Sequence, residues 1–178
     1  IMSRLLSKAD FGYLAAISGV MAICMSLSEA GLGSAVIQKK DATKEHVSTA
    51  FTLSILMGFL FSLILFIFSP YIATIIADDT LTIPLQIMSL TILLHSLISI
   101  GNAILYRQLS FKKIGLINVT SYIVGCALAV VLALNGFGLM SMIYMHILHA
   151  LLTIVLLFGF YVKIPQLGIY RSETKGIV

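Results

Sequence analysis

SLSEAGLGSAVIQKK, residues 26–40, ends an apolar run that begins near Phe11, and ends it with a carboxylate, two glycines and a lysine pair. If the helix stays regular from Glu29 to Lys39, a rise of about 1.5 Å per residue sets the carboxylate roughly 15 Å inside the basic end, near the middle of a hydrocarbon layer about 30 Å thick. An ionisable group at that depth normally faces a bundle interior or a water-filled cavity, and Gly31 and Gly33 mark a place where the helix can loosen toward one. Glu29 is therefore a candidate for a substrate or ion path. The competing reading is a protonated or hydrogen-bonded carboxyl that makes a structural contact with a neighbouring helix.

Composition places the whole chain in the same setting. Of its 178 residues 60% are hydrophobic and 10% charged, and the mean hydropathy is +1.09, which is more apolar surface than a soluble domain buries. A net charge of +4 would suggest nucleic acid as partner of a soluble protein. Here the basic residues fall in short loops between apolar runs, no nucleic-acid module is visible, and no such partner is expected. Cys24 and Cys126 lie within apolar segments without paired spacing, which argues for packing rather than a disulfide or zinc. Asp10-Phe11-Gly12 matches the kinase magnesium motif in letters only, since no Gly-rich or catalytic-loop signature accompanies it.

The fold expected is all-α: a polytopic bundle with full spans at about residues 11–37, 47–69, 83–106, 114–134 and 139–162. In the first, Ala15, Gly19, Ala22 and Ser26 form a row that would admit another helix closely, as would Ser54, Gly58 and Ser62 in the second. Pro70 should end or kink the second. The segment 71–81 holds the acidic pair Asp78 and Asp79 and reads as a short interfacial turn. Asn135-Gly-Phe-Gly138 joins the last two spans as a helical hairpin, with Ser121, Gly125 and Ala129 lining one and His146, His149 and Thr153 sharing a face of the other. Two histidines at i, i+3 could bind a metal, but no carboxylate or cysteine lies nearby in sequence, so interhelical hydrogen bonds are the expected use.

The third span carries a second candidate path. Thr91, His95, Ser99, Asn102 and Tyr106 are spaced 4, 4, 3 and 4, which puts them on one helical face. His95 lies twelve residues before Arg107, roughly 18 Å along the axis, so the stripe reaches deep into the layer. A lone histidine there would ordinarily be a neutral hydrogen-bonding group. Five polar groups on one face point instead to a water-accessible surface.

Orientation follows from the basic residues. Lys39, Lys40, Lys44, Arg107, Lys112, Lys113, Lys163, Arg171 and Lys175 fall on one side and only Arg4 and Lys8 on the other. The first side is expected to be cytoplasmic. The chain would then begin outside, with residues 1–6 reading as the end of a helix that precedes it, and end inside.

The strings SRLLSKADFGYLAA (3–16), SEAGLGSAVIQKK (28–40), ILYRQLSFKKIG (104–115) and NGFGLMSMIY (135–144) resemble, in order and spacing, the landmarks of the polysaccharide and O-antigen flippases. These belong to the multidrug, oligosaccharidyl-lipid and polysaccharide exporter superfamily. The run Arg107-x-x-x-Phe111-Lys112 is the most specific piece. The resemblance implies that the chain corresponds to helices two to six of the N-terminal lobe of a two-lobe transporter, with residues 163–178 leading toward the second lobe. It also implies alternating-access export of an undecaprenyl-pyrophosphate-linked oligosaccharide across the bacterial inner membrane, with membrane lipids, a glycan polymerase and glycosyltransferases as neighbours. Neither cofactor nor covalent chemistry is required.

Such a substrate needs cations for its pyrophosphate, a hydrated polar lumen for its sugars and an apolar groove for its tail. Arg4, Arg107, Lys112 and Lys113 are the candidate cations, and the Thr91 to Tyr106 face the candidate lumen. In two respects the chain departs from the family: Glu29-Ala30 stands where an Asp is commoner, and the first helix of the lobe is missing. Two other readings remain: a cation-coupled multidrug exporter using Glu29 as its coupling carboxylate, and a non-transporting scaffold for a glycan-synthesis complex.

Overall fold

The computed structural model describes residues 7–29, 44–76, 79–163 and 165, with the side chains of Glu29, Lys44 and Asp79 excepted. All regular structure among them is helical: α1 (Lys8–Glu29), α2 (Lys44–Ile75), a 3-10 turn (Asp79–Leu81), α3 (Thr82–Arg107), α4 (Phe111–Leu134) and α5 (Leu139–Leu156), which continues as one π-helical turn, Leu157–Tyr161. Five of these segments are long and apolar enough to cross a membrane, as the sequence leads one to expect. The chain is a multi-pass membrane protein.

Local chemistry sets the ends. Helix α1 opens on a reciprocal cap, in which the Ser7 N–H and hydroxyl both donate to Asp10 Oδ2 (2.9 and 2.8 Å) and the Asp10 N–H donates back to Ser7 Oγ (3.1 Å). The Asp of the accidental magnesium motif is thus a helix cap. Of the two outcomes expected at Pro70, an end or a kink, α2 does not end there: the helix runs on to Ile75. Proline cannot satisfy the carbonyl four residues back, but the Ser69 hydroxyl donates to that Phe66 carbonyl at 2.8 Å, so the interruption leaves no bare acceptor in the layer. The 71–81 segment is correspondingly shorter as a turn.

Helix α3 is the centre of the bundle. Half of its most apolar window is buried, against 17–28% for the others, and it packs most extensively on α2, then on α5 and α1. With lipid tails as apolar as leucine, such packing depends on close backbone approach. The expected small row of α2 provides it: a Cβ at Gly58 would meet Ser96 Oγ at 2.5 Å. Gly101 of α3 likewise receives Leu157, and Gly125 of α4 faces Met145 and His149 of α5, with its Cβ position 3.3 Å from the Met145 carbonyl oxygen. The row in α1 does otherwise. Ala15, Gly19, Ala22 and Ser26 are exposed and nothing lies within 4 Å of a Cβ at Gly19, because α1 turns Ile17 and Met21 inward against Leu85, Met88 and Ile92.

Candidate functional site

On a helical wheel the polar stripe of α3 falls between two packed arcs. Met88 and Ile92 on one side pack with Ile17 and Met21 of α1, while Gly101 and Leu105 on the other meet Leu157, at the end of α5. The stripe therefore lies beside the packing of α1 and α5 on α3. It is graded along its length: Thr91 is 1% exposed and gives its hydroxyl to the Met88 carbonyl at 2.6 Å, whereas Tyr106 is 39% exposed. His95, Ser99 and Asn102 lie between, each partly buried. Near Thr91 a stopper of packed side chains, Ile17, Met21, Met88, Ile92 and Ile143, adjoins the stripe, and exposure rises toward Tyr106.

Three of the four candidate cations gather at the exposed end of the stripe. Arg107 is the last residue of α3, and Lys112 and Lys113 stand exposed in the first turn of α4. Lys113 Nζ lies 5.8 Å from the centroid of the Tyr161 ring, within range of the ring's negative face. Tyr106 and Phe111 pack ring to ring across the turn, centroids 6.0 Å apart. The turn is held by Leu109 in the left-handed region (φ 52°), a conformation that side chains resist. This end of the molecule can offer an anion charge and an aromatic rim. Arg4 and the side chain of Glu29 lie outside the described residues, although the backbone of Glu29 ends α1.

An apolar groove of about 410 Å³ between α2 and α3, lined by Phe59, Ser62, Leu63, Phe66, Gln86 and Leu90, lies roughly opposite the stripe on α3. It is therefore not a continuation of the polar face.

Sequence reasoning saw the histidines of α3 and α5 separately and missed their convergence. His95 lies near enough to His149 and His146 for their charges to interact, and Tyr122 of α4 sets its ring edge-on to His149 at 6.0 Å. One turn away on the same helices, the Ser121 and Thr153 hydroxyls are buried without a hydrogen-bond partner. The only sequence signal for this was polarity at matching faces; the register that joins them is set by Gly101 and Gly125. Among the described residues no group of three His, Cys, Asp or Glu side chains is arranged to hold a metal ion.

Comparison with known proteins gives these features a context. A family described as "Polysaccharide biosynthesis protein" matches residues 1–178. The chain is 31% identical over 151 residues to the succinoglycan biosynthesis transport protein ExoT of Rhizobium meliloti, covering 85% of this chain and 31% of the relative. It is 24% identical over 173 residues to the lipopolysaccharide biosynthesis protein WzxC of Escherichia coli, covering 97% and 35%. With the teichuronic acid biosynthesis protein TuaB of Bacillus subtilis it shares 31% over 91 residues, or 51% and 19%. The chain spans about a third of the length of the first two of these relatives, and no solved structure matches it. The first of these names describes transport in succinoglycan biosynthesis, and the others the biosynthesis of lipopolysaccharide and of teichuronic acid. The chain belongs to the polysaccharide biosynthesis protein family, that of the polysaccharide and O-antigen flippases.

Proposed function

We propose that this chain forms helices two to six of the N-terminal lobe of a flippase that moves an undecaprenyl-pyrophosphate-linked oligosaccharide across the bacterial inner membrane. The observation that carries the reading is the graded polar face of α3, buried at Thr91 and open at Tyr106, which ends at Arg107, Lys112 and Lys113. A pyrophosphate headgroup is drawn to such a set of cations by charge-assisted hydrogen bonds. The sugars that follow it need hydroxyl, amide and imidazole partners inside the layer, and Ser99, Asn102 and His95 are placed to supply them. With the basic end in the cytoplasm, the polar face of α3 is open toward the side on which the lipid-linked glycan is assembled and buried toward the other. Alternating access then requires the stopper around Ile17, Met21, Met88, Ile92 and Ile143 to part while the basic end closes. Glycosyltransferases and a polymerase would be its functional neighbours.

In the multidrug-exporter reading the cations at the mouth would repel the cargo, so the basic rim favours an anionic one. A scaffold would have no use for a polar face that opens by degrees.

The test is water accessibility in a cysteine-free form of the full-length protein. Cysteines at Tyr106, Asn102 and Ser99 should react with a water-borne thiol reagent in that order, while cysteines at the exposed apolar positions Leu90 and Ile123 should not. Equal reactivity on every face would leave α3 without a lumen side. Glu29→Gln adds a second arm: surface glycan should fall in a deletion strain while membrane levels hold, and full complementation would remove Glu29 from the path.

A further inference from the structure

Every charged side chain described in this structure lies near a helix end: Lys8, Asp10, Glu45, Arg107, Lys112, Lys113 and Lys163. The side chain of Glu29 is outside the described residues. Against that apolar interior, three of the chain's four histidines meet near mid-layer from two helices. Their register is fixed by packing rather than by the rings themselves. Leu157 seated on Gly101 sets α5 against α3, and Met145 and His149 on Gly125 set α5 against α4, with the His149 Cβ 3.7 Å from the Cβ position of Gly125. His95 consequently falls between the levels of His149 and Thr153. All three rings are partly buried.

The groups that face them are few. From α4 come Tyr122, edge-on to His149, and Cys126, whose thiol lies 3.8 Å from Met145 Sδ. From α1 the neighbouring cluster holds Tyr13 and Cys24 with Ile17 and Met21. Helix α2 presents Gly58 to Ser96, with its titratable residues Glu45, His46 and Tyr71 toward its two ends. The third titratable side chain of α5 besides its histidines is Tyr144, which is exposed. No described side chain therefore supplies a fixed counter-charge at this depth. Two uncommitted hydroxyls, Ser121 and Thr153, stand one turn away on the helices that carry Gly125 and His149.

The rings do not converge as the ligands of a metal ion must. A proton asks for less: each neutral imidazole carries one donor and one acceptor, and rings at interacting distance compete for the same charge. We propose that His95, His146 and His149 form one proton-binding site inside the bundle, which takes up a single proton shared among the three imidazoles. A second proton would have to enter beside the first with no carboxylate among the described side chains to offset it, so the site changes by one charge across its working range. That charge sits between α3 and α5 and beside α4, about two turns from the Leu157 contact, and its arrival changes the electrostatics where α5 meets α3 and α4. The Ser121 and Thr153 hydroxyls are the hydrogen-bonding capacity left to receive the change.

The experiment follows the imidazole resonances of the full-length protein in lipid nanodiscs through a pH titration, in wild type and in His95→Gln, His146→Gln, His149→Gln and His46→Gln. Removing any one of the three should move the midpoints of the other two by about one pH unit, the scale of coupling that marks sites titrating together. His46→Gln, in the first turn of α2, should leave them in place. Midpoints that ignore each other's removal, or rings that do not titrate in the folded protein, would overturn the site. Circular dichroism and gel filtration accompany each variant, with His→Asn replacing any Gln variant that fails to insert. The readout needs no substrate, so it stands or falls separately from the glycan as cargo.

Discussion

Two turns reverse this chain with the same pair of backbone hydrogen bonds and opposite chemistry. After α3, the Leu109 N–H donates to the Tyr106 carbonyl (2.9 Å) and the Ser110 N–H to that of Leu105 (3.0 Å); after α4, Gly136 donates to Ala133 (3.1 Å) and Phe137 to Leu132 (3.2 Å). Each needs positive φ, at 52° for Leu109 in the first and at 83° and 48° for Gly136 and Gly138 in the second. Glycine accepts that conformation freely, whereas a side chain resists it by about 1–2 kcal/mol. The relaxed turn, Asn135 to Gly138, carries no charge and packs beside the Asp10 cap, whose carboxylate oxygens lie 3.9 Å from the Cβ position of Gly138. The strained turn is the one beside Arg107, Lys112 and Lys113. One is a connector; the other holds cations and aromatic rings in a fixed relation, and strain of this kind persists where the surrounding structure demands it.

The largest expected effect is all-or-none and concerns sidedness. With single cysteines in the full-length protein, Lys112→Cys should label only from the cytoplasm and Asn135→Cys only from outside. Labelling of Lys112→Cys by an impermeant reagent in intact cells would invert the topology and with it the direction in which the polar face opens. Next in size is charge. Replacing Lys112 and Lys113 together by Gln should lower surface glycan in a complementation assay by tenfold or more, since each charge-assisted hydrogen bond to a phosphate is worth about 1.5–3 kcal/mol. Asn135→Asp at the neutral turn should leave export near wild type. Equal loss at both turns would reduce the basic one to a connector as well.

How far the sequence could be read divides along the same physical line. Period and composition are local, and they revealed the five spans, the face shared by Thr91 to Tyr106 and the hairpin at Asn135 to Gly138. At Pro70 the local rule left an end and a kink both open, because it takes no account of a hydroxyl at the preceding residue reaching the orphaned Phe66 carbonyl. The α1 row meets no helix among the described residues: small residues permit close packing without requiring it, and Ile17 and Met21 take the inner face. The histidine cluster was invisible since its register depends on Leu157 meeting Gly101, a contact 56 positions apart in the chain. Nor does any residue type announce the left-handed Leu109; the usual signal there would be a glycine.

A smaller effect sharpens the comparison of the turns. Gly136→Leu gives the relaxed turn the strain of the other and should cost about 1 kcal/mol. The measurement is the thermal unfolding midpoint of the full-length protein in one detergent at one scan rate, read as a ranking because membrane proteins seldom unfold reversibly. A midpoint unchanged from wild type would mean that Leu is tolerated at this position for reasons other than strain, and the contrast between the two turns would lose its energetic basis.

The smallest effect is the reverse change, Leu109→Gly. Removing the side chain relieves about 1–2 kcal/mol of left-handed strain, but glycine also gives the unfolded chain more freedom, which takes back roughly 0.5–1 kcal/mol. Leu109 is 74% exposed, so little packing is lost, and the net should be a stabilisation of a few tenths of a kcal/mol, a shift of the unfolding midpoint by about a degree. Export discriminates what the strain is for. If the leucine only tolerates a turn that the hydrogen bonds dictate, Leu109→Gly should export at the wild-type level. If its restricted backbone holds Arg107 and Lys112 in relation to one another, export should fall even as stability rises, because glycine lets the turn sample geometries in which the cations diverge. We expect the second outcome, a loss of about twofold to fivefold, as the turn loosens without losing its charges. Wild-type export together with a higher midpoint would leave the charges as the whole of the basic turn's contribution and make its strain incidental.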